Sequence, residues 1–138
     1  MTYNREVPVE FNHCDPAGIV FYPRYFEMTN SVVENFFREV LAYPFARICA
    51  EGRGVPTARI EVSFTAPSRL GDVLDFTLLV ERIGRTSVTF RIAAARGLDP
   101  RLQGLFTLVW LDAAGRPEPW PVAMRNTLSQ HLTVGTAP

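Results

Sequence analysis

One acidic side chain, Asp15, stands in the run Asp15-Pro16-Ala17-Gly18-Ile19-Val20-Phe21-Tyr22-Pro23-Arg24-Tyr25, just ahead of a long apolar segment with helical spacing. The start of a helix presents backbone N–H groups without intrahelical acceptors and a partial positive charge, so it can hold an oxyanion as it develops. A carboxylate a few residues upstream can serve the same substrate carbon. Gly18 allows backbone to approach a ligand closely, and Pro23 suits the first turn of a helix, where its missing N–H costs nothing. Acyl chemistry is the reaction this arrangement implies. Taken alone, an aspartate before proline is a turn or capping residue.

The elements that must position these residues follow from periodicity. Val7, Val9 and Phe11 alternate with Glu6, Pro8 and Glu10, the pattern of a half-buried first strand that Pro8 pushes toward a sheet edge. From about Pro23 to Leu41, Phe26, Thr29, Val33, Phe36, Phe37 and Val40 follow helical spacing. Tyr25, Met28, Val32 and Leu41 widen that stripe, which predicts a helix enclosed on most sides. Tyr43-Pro44 then breaks helical geometry.

Ile60, Val62 and Phe64, then Leu74 to Val80, then Val88 to Ala94 recur at period two, so each run is a strand with one buried face. Leu105 to Leu111 is continuously apolar, as a central strand would be. Turn residues at Pro67–Asp72, Ile83–Arg85, Gly97–Arg101 and Ala113–Arg116 make neighbouring strands antiparallel, and a short helix is expected around Val122 to His131. The sum is one α+β domain over residues 1–138, in which a curved antiparallel sheet of about five strands wraps one long central helix. A single helix leaves the second sheet face, with Leu79, Val109 and Leu111, to a second copy of the chain, as homodimer or homotetramer.

Composition narrows the partners. Fourteen acidic residues balance fourteen basic ones, every one of them arginine, so no electropositive excess points to nucleic acid. Two cysteines, Cys14 and Cys49, are too few for a disulfide scaffold or a zinc site and fit a reducing compartment. No apolar run reaches membrane-spanning length and the first residues lack a leader pattern, so a cytoplasmic location is expected.

The strand, the Asp15–Tyr25 run, the helix and the strands after it resemble the hot-dog-fold acyl-coenzyme A thioesterases, nearest the 4-hydroxybenzoyl-coenzyme A thioesterase type. The resemblance spans Val7 to about Asp112, and the Asp15–Tyr25 run is its specific part. It implies hydrolysis of an acyl-CoA ester without a separate cofactor, coenzyme A being part of the substrate. It implies further that Asp15 attacks the thioester or activates water, that the Tyr22 backbone N–H polarises the carbonyl, and that Gly18 and Tyr25 border the acyl group. Arg85 and Ser87, in Glu81-Arg82-Ile83-Gly84-Arg85-Thr86-Ser87, match the residues that meet the coenzyme A phosphates, and a guanidinium suits phosphate oxygens. Two positions depart from that branch: Asn30 stands where an acidic residue meets the ring hydroxyl, and His13 replaces an acidic residue two before the aspartate.

The remaining side chains have plainer readings. His13 lacks a Cys or Ser partner of the kind that makes a histidine a catalytic base, and Cys14 points to the other side of an extended chain. His131 lies in a polar tail, and no spacing suits a metal. A hydratase or dehydratase would need a His–acid pair, for which only His13 and Asp15 are available. A non-catalytic acyl-CoA-binding protein would have no need of Asp15, Gly18 and Pro23 together.

Overall fold

A computed structural model describes residues 1–133. In chain order it comprises β1 (Tyr3–Pro8), a single 3-10 turn (Phe11–His13), α1 (Arg24–Glu39), α2 (Phe45–Ala50), β2 (Thr57–Phe64), β3 (Val73–Ile83), β4 (Ser87–Arg96), β5 (Asp99–Val109) and α3 (Val122–Gln130). The five strands form one sheet in the order β1-β3-β4-β5-β2, with every pair antiparallel. β1, carrying Pro8, lies at one edge, where a residue without an N–H is tolerated. No helix among the described residues is long and apolar enough to cross a membrane.

The inner sheet face is the predicted one for β3 and β4: Leu74, Phe76, Leu78 and Val80 beside Val88, Phe90, Ile92 and Ala94 are all buried. α1 lies on this face through Tyr25, Met28, Thr29, Val32, Val33, Phe36 and Phe37, one turn apart in pairs. Phe36 packs edge-on against Phe90 at 5.4 Å and Tyr3 at 5.5 Å. Each such ring contributes roughly 2–3 kcal/mol by leaving water. The helix ends where Ala42 adopts a left-handed conformation (φ 55°) before Tyr43-Pro44. α3 closes the core with Met124 and Leu128, and the chain then bonds back to Val80 through the His131 carbonyl.

Several expectations are corrected. Phe11 is not in the first strand: it is 83% exposed, on the 3-10 turn that follows it. Ile60 and Phe64 are 43% and 44% exposed, because β2 is the far edge of the sheet and a groove separates it from α1. For the same reason α1 is not enclosed: Glu27, Asn30, Glu34 and Arg38 are exposed. The outer sheet face is no open apolar patch, since Leu79, Val109 and Leu111 are half-buried. An Arg91–Glu81 ion pair (2.9 Å) and a Thr89–Thr107 hydroxyl bond (2.9 Å) occupy that face. His131 is buried, its ring 5.3 Å from that of Phe36 and its Nδ1 3.2 Å from the Thr127 carbonyl oxygen.

A buried guanidinium, that of Arg101, stands at the start of β5 and is 5% exposed. Its Nη1 donates to Asp72 Oδ2 (2.8 Å), the Pro67 carbonyl (3.0 Å) and Ser68 Oγ (3.1 Å), while Nε donates to Asp99 Oδ2 (3.1 Å). These bonds fasten the Pro67–Asp72 turn to the sheet. The Arg69 backbone N–H and the Arg101 guanidinium hold the Asp72 carboxyl below the usual carboxylate range. Arg101→Met leaves Asp72 with the Arg69 N–H (2.9 Å) and the exposed Arg96 (3.5 Å) but without its buried partner, and a loss of about 3 kcal/mol in urea unfolding is expected. Since the folded-state value of Asp72 is depressed, its contribution is complete at neutral pH and is lost as pH falls from about 4 through that value. Asp72→Asn therefore unfolds more easily at pH 7 but loses less further stability on acidification than the wild type, as urea midpoints measured across the acid range would report.

Candidate active site

The turn that carries Asp15 is a small hairpin closed from both sides. Asp15 N–H donates to the Ile19 carbonyl (3.0 Å), Gly18 N–H to the Asp15 carbonyl (2.9 Å) and Phe21 N–H to the His13 carbonyl (3.0 Å). Pro16 supplies the fixed φ of a turn's second residue, and Gly18 takes φ 79°, open to glycine at little cost. A Cβ built on Gly18 would meet nothing within 4 Å, so space lies beside the turn. The hairpin is fastened in turn to the segment that Arg101 anchors: Val20 N–H donates to the Ser68 carbonyl (2.9 Å) and Leu70 N–H to the Gly18 carbonyl (3.1 Å).

Asp15 is half-buried, and its Oδ1 accepts the Ala17 N–H at 2.9 Å. The turn role expected of an Asp-Pro pair is therefore real, and it uses one carboxylate oxygen while leaving the other without a protein donor among the described residues. At the start of α1 the donors are fewer than a bare helix end would offer. Arg24, Tyr25 and Phe26 N–H bond to the carbonyls of Phe21, Tyr22 and Pro23 at 2.8 to 3.1 Å, and Pro23 has no N–H. The Tyr22 N–H alone in this stretch has no acceptor among the described residues. The site thus combines one carboxylate oxygen and one backbone donor, about as much as acyl transfer requires of a protein.

Two open grooves flank this point. The first, about 490 Å³, is lined by Val20, Tyr22, Tyr25, Phe64 and Pro67. Its aromatic rings meet one another, Tyr25 to Phe64 at 5.5 Å and Tyr22 to Phe64 at 6.2 Å. The second, about 450 Å³, runs between α1 and β2 past Pro23, Phe26, Asn30, Ile60 and Phe106. Phe26 and Phe64, 6.3 Å apart, stand between the two. Such apolar clefts with a few polar groups are the usual form of a small-molecule site.

The structure places Asp15 and Gly18 on the hairpin, Tyr22 and Tyr25 along the first groove and Asn30 along the second. It does not bring Arg85 and Ser87 to them within one chain. Arg85 lies on the β3–β4 turn and Ser87 opens β4, both beyond the far end of β3, a strand of eleven residues spanning roughly 35 Å. The Ser87 carbonyl accepts Gly84 N–H (2.8 Å) and Trp120 Nε1 (2.9 Å), and Arg85 is exposed. Sequence reasoning missed Ser68, Asp72 and Arg101, because Arg101 is separated by 29 and 33 residues from the partners it meets. It also took Ile60 for core, whereas Phe64 is among the aromatic residues expected to line an acyl pocket and does line the first groove. Only knowledge that β2 is an edge strand could have marked Ile60 as a groove residue.

A family model described as the thioesterase-like superfamily matches residues 9–128. A 4-hydroxybenzoyl-CoA thioesterase from Pseudomonas sp. (strain CBS-3) is 29% identical over 90 residues, so the match spans 64% of this chain and 64% of that relative's length. The solved structure of the 4-hydroxybenzoyl-CoA thioesterase from the same strain superimposes with a TM-score of 0.83 at 23% identity, over 91% of this chain and 98% of the other. A 1,4-dihydroxy-2-naphthoyl-CoA thioesterase from Synechocystis gives 0.85 at 16% identity (94% and 96%), and the dynemicin thioesterase 0.88 at 19% (98% and 100%). Sheet order and helix placement are those of the hot-dog fold, and the chain belongs to the thioesterase-like superfamily.

Proposed function

We propose that this protein is an acyl-CoA thioesterase that hydrolyses an aromatic or short-chain acyl-CoA to the free acid and coenzyme A. The observation that carries the reading is one short hairpin holding a half-buried carboxylate and an unpaired backbone N–H beside an aromatic groove. The thioester carbonyl oxygen accepts the Tyr22 N–H, which favours the tetrahedral oxyanion over the planar ester. Asp15 then acts in one of two ways. It attacks the carbonyl to expel the thiolate and form an anhydride that water cleaves, or it takes a proton from a water that attacks directly. Either route consumes one water and releases acid and thiol, so no separate cofactor is needed.

The superfamily and the 29% identical relative named as a 4-hydroxybenzoyl-CoA thioesterase support an aromatic acyl group, as does a groove lined by Tyr22, Tyr25 and Phe64. Asn30, in the second groove, offers both a donor and an acceptor to a polar substituent. The exposed apolar residues of the β2 edge favour a homodimer or homotetramer, in which a second copy supplies Arg85 and Ser87 to the coenzyme A end. The free cysteines Cys14 and Cys49 suit work in the cytoplasm.

Purified protein should release free thiol from benzoyl- or hydroxybenzoyl-CoA in a thiol-trapping assay. Asp15→Asn should lower kcat by on the order of a hundredfold or more while keeping the wild-type circular dichroism spectrum. Undiminished turnover in that variant would refute the reading. Arg85→Ala should raise KM for the CoA ester roughly tenfold and leave kcat nearly unchanged, as expected when a phosphate contact binds substrate and transition state equally.

A further inference from the structure

Tyr25, the second residue of α1, is packed into the molecule with only 4% of its surface exposed, its ring 5.5 Å from that of Phe64. Its hydroxyl has no hydrogen-bond partner among the described residues. The other tyrosines differ. Tyr3 gives its hydroxyl to the Glu39 carboxylate and the buried Tyr43 gives its own to Glu51, while Tyr22 is 59% exposed and open to water. Tyr25 alone combines burial with an unspent phenol.

Among the described residues every fully buried side-chain nitrogen or oxygen has a partner, so a phenol without one must keep a small accessible surface. The cavity that Tyr25 lines is the first groove, with Val20, Tyr22, Phe64, Thr65 and Pro67. The hydroxyl of Thr65 in that wall is already spent, donating to the Pro100 carbonyl at 2.8 Å. Tyr25 therefore contributes an unused donor to a groove that is otherwise largely apolar.

Buried phenols are ordinarily satisfied, and one left bare costs little only while water reaches it. When an acyl group fills the groove that water leaves, and the stripped hydroxyl weakens binding unless the occupant brings a partner. A pure hydrocarbon brings none. An oxygen on the acyl group accepts the phenolic proton, and the loss of water then strengthens the bond instead of opposing the fit.

We propose that Tyr25 is a specificity-determining residue that selects acyl groups carrying an oxygen substituent, its hydroxyl donating to that oxygen in the groove beside Phe64. This rests on the thioesterase reading and deepens it: the substrate class becomes aryl thioesters bearing a hydroxyl, ether or oxo group, in preference to unsubstituted ones. The contact belongs to the first groove, whereas Asn30 lines the second.

Tyr25→Phe removes the hydroxyl and keeps the ring. Wild type and variant are compared on benzoyl-CoA and on the ortho-, meta- and para-hydroxybenzoyl and methoxybenzoyl esters. The wild type should prefer at least one oxygenated ester over benzoyl-CoA by about tenfold in kcat/KM, and Tyr25→Phe should erase most of that preference, the loss falling on the oxygenated ester. The variant should also melt at or above the wild-type temperature, because the hydroxyl it lacks has no partner in the free protein. A phenol that merely held the fold together would lower it.

An equal fall on benzoyl-CoA and on every oxygenated ester would put the phenol on the part of the substrate they share and overturn the specificity role. So would a wild type without preference, a preference that survives in Tyr25→Phe, or a variant that melts several degrees lower. Each of these outcomes leaves the thioesterase reading standing. Wild-type protein that hydrolyses none of the esters would overturn that reading, and the selection by Tyr25 with it.

Discussion

The buried guanidinium of Arg101 organises the end of the molecule where the chemistry would occur. Its donors reach one carboxylate, one hydroxyl and one carbonyl on the Pro67–Asp72 turn, and that turn supplies the carbonyl of Ser68 and the N–H of Leu70 that hold the Asp15 hairpin. A charge withdrawn from water tolerates little displacement of its partners, because each bond must offset part of the desolvation cost. The constraint therefore passes from β5 through a surface turn to a second turn that has almost no core of its own. Without it, the segment between His13 and Val20 would be held mainly by its internal backbone bonds, and a short two-stranded hairpin is at best marginally stable in water.

A second constraint is what the fold leaves uncovered. α1 buries one stripe on the sheet and stops short of β2, so the edge strand presents Ile60 and Phe64 to a groove rather than to a helix. In an ordinary core that gap would be a defect in packing. Here it opens a groove past Pro23, Phe26 and Asn30, next to the one that Tyr22, Tyr25 and Phe64 line. The outer sheet face behaves differently. Its Arg91–Glu81 and Thr89–Thr107 pairs satisfy one another locally and fill the space between its apolar residues.

Much of this was legible from residue order because the relevant interactions are short in sequence. The strands β3 and β4 declare their buried faces by strict alternation, and α1 declares its own by pairs of apolar residues one turn apart. Asp15, Gly18, Tyr22 and Pro23 lie within nine residues, so one turn and one helix start suffice to bring them together. Where the reading failed, the reason was burial by distant elements. Ile60 and Phe64 have the same alternation as Phe76 and Leu78, and only a place at the sheet edge distinguishes them. His131 looked like part of a polar tail because Phe36, the ring that buries it, is almost a hundred residues earlier in the chain.

What the sequence by itself determined is the class of fold and the hairpin-to-helix unit with its carboxylate, since propensity, periodicity and turn chemistry act over a few residues. Tertiary structure alone decided that Arg101 would anchor the turn that holds that hairpin, that the Tyr22 N–H at the helix start would have no acceptor among the described residues, and that β2 would border grooves instead of core. It decided equally that Arg85 and Ser87 would stand at the opposite end of β3 from Asp15. Each depends on which elements become neighbours after folding, and burial and hydrogen-bond satisfaction are properties of those neighbours rather than of any local run of residues.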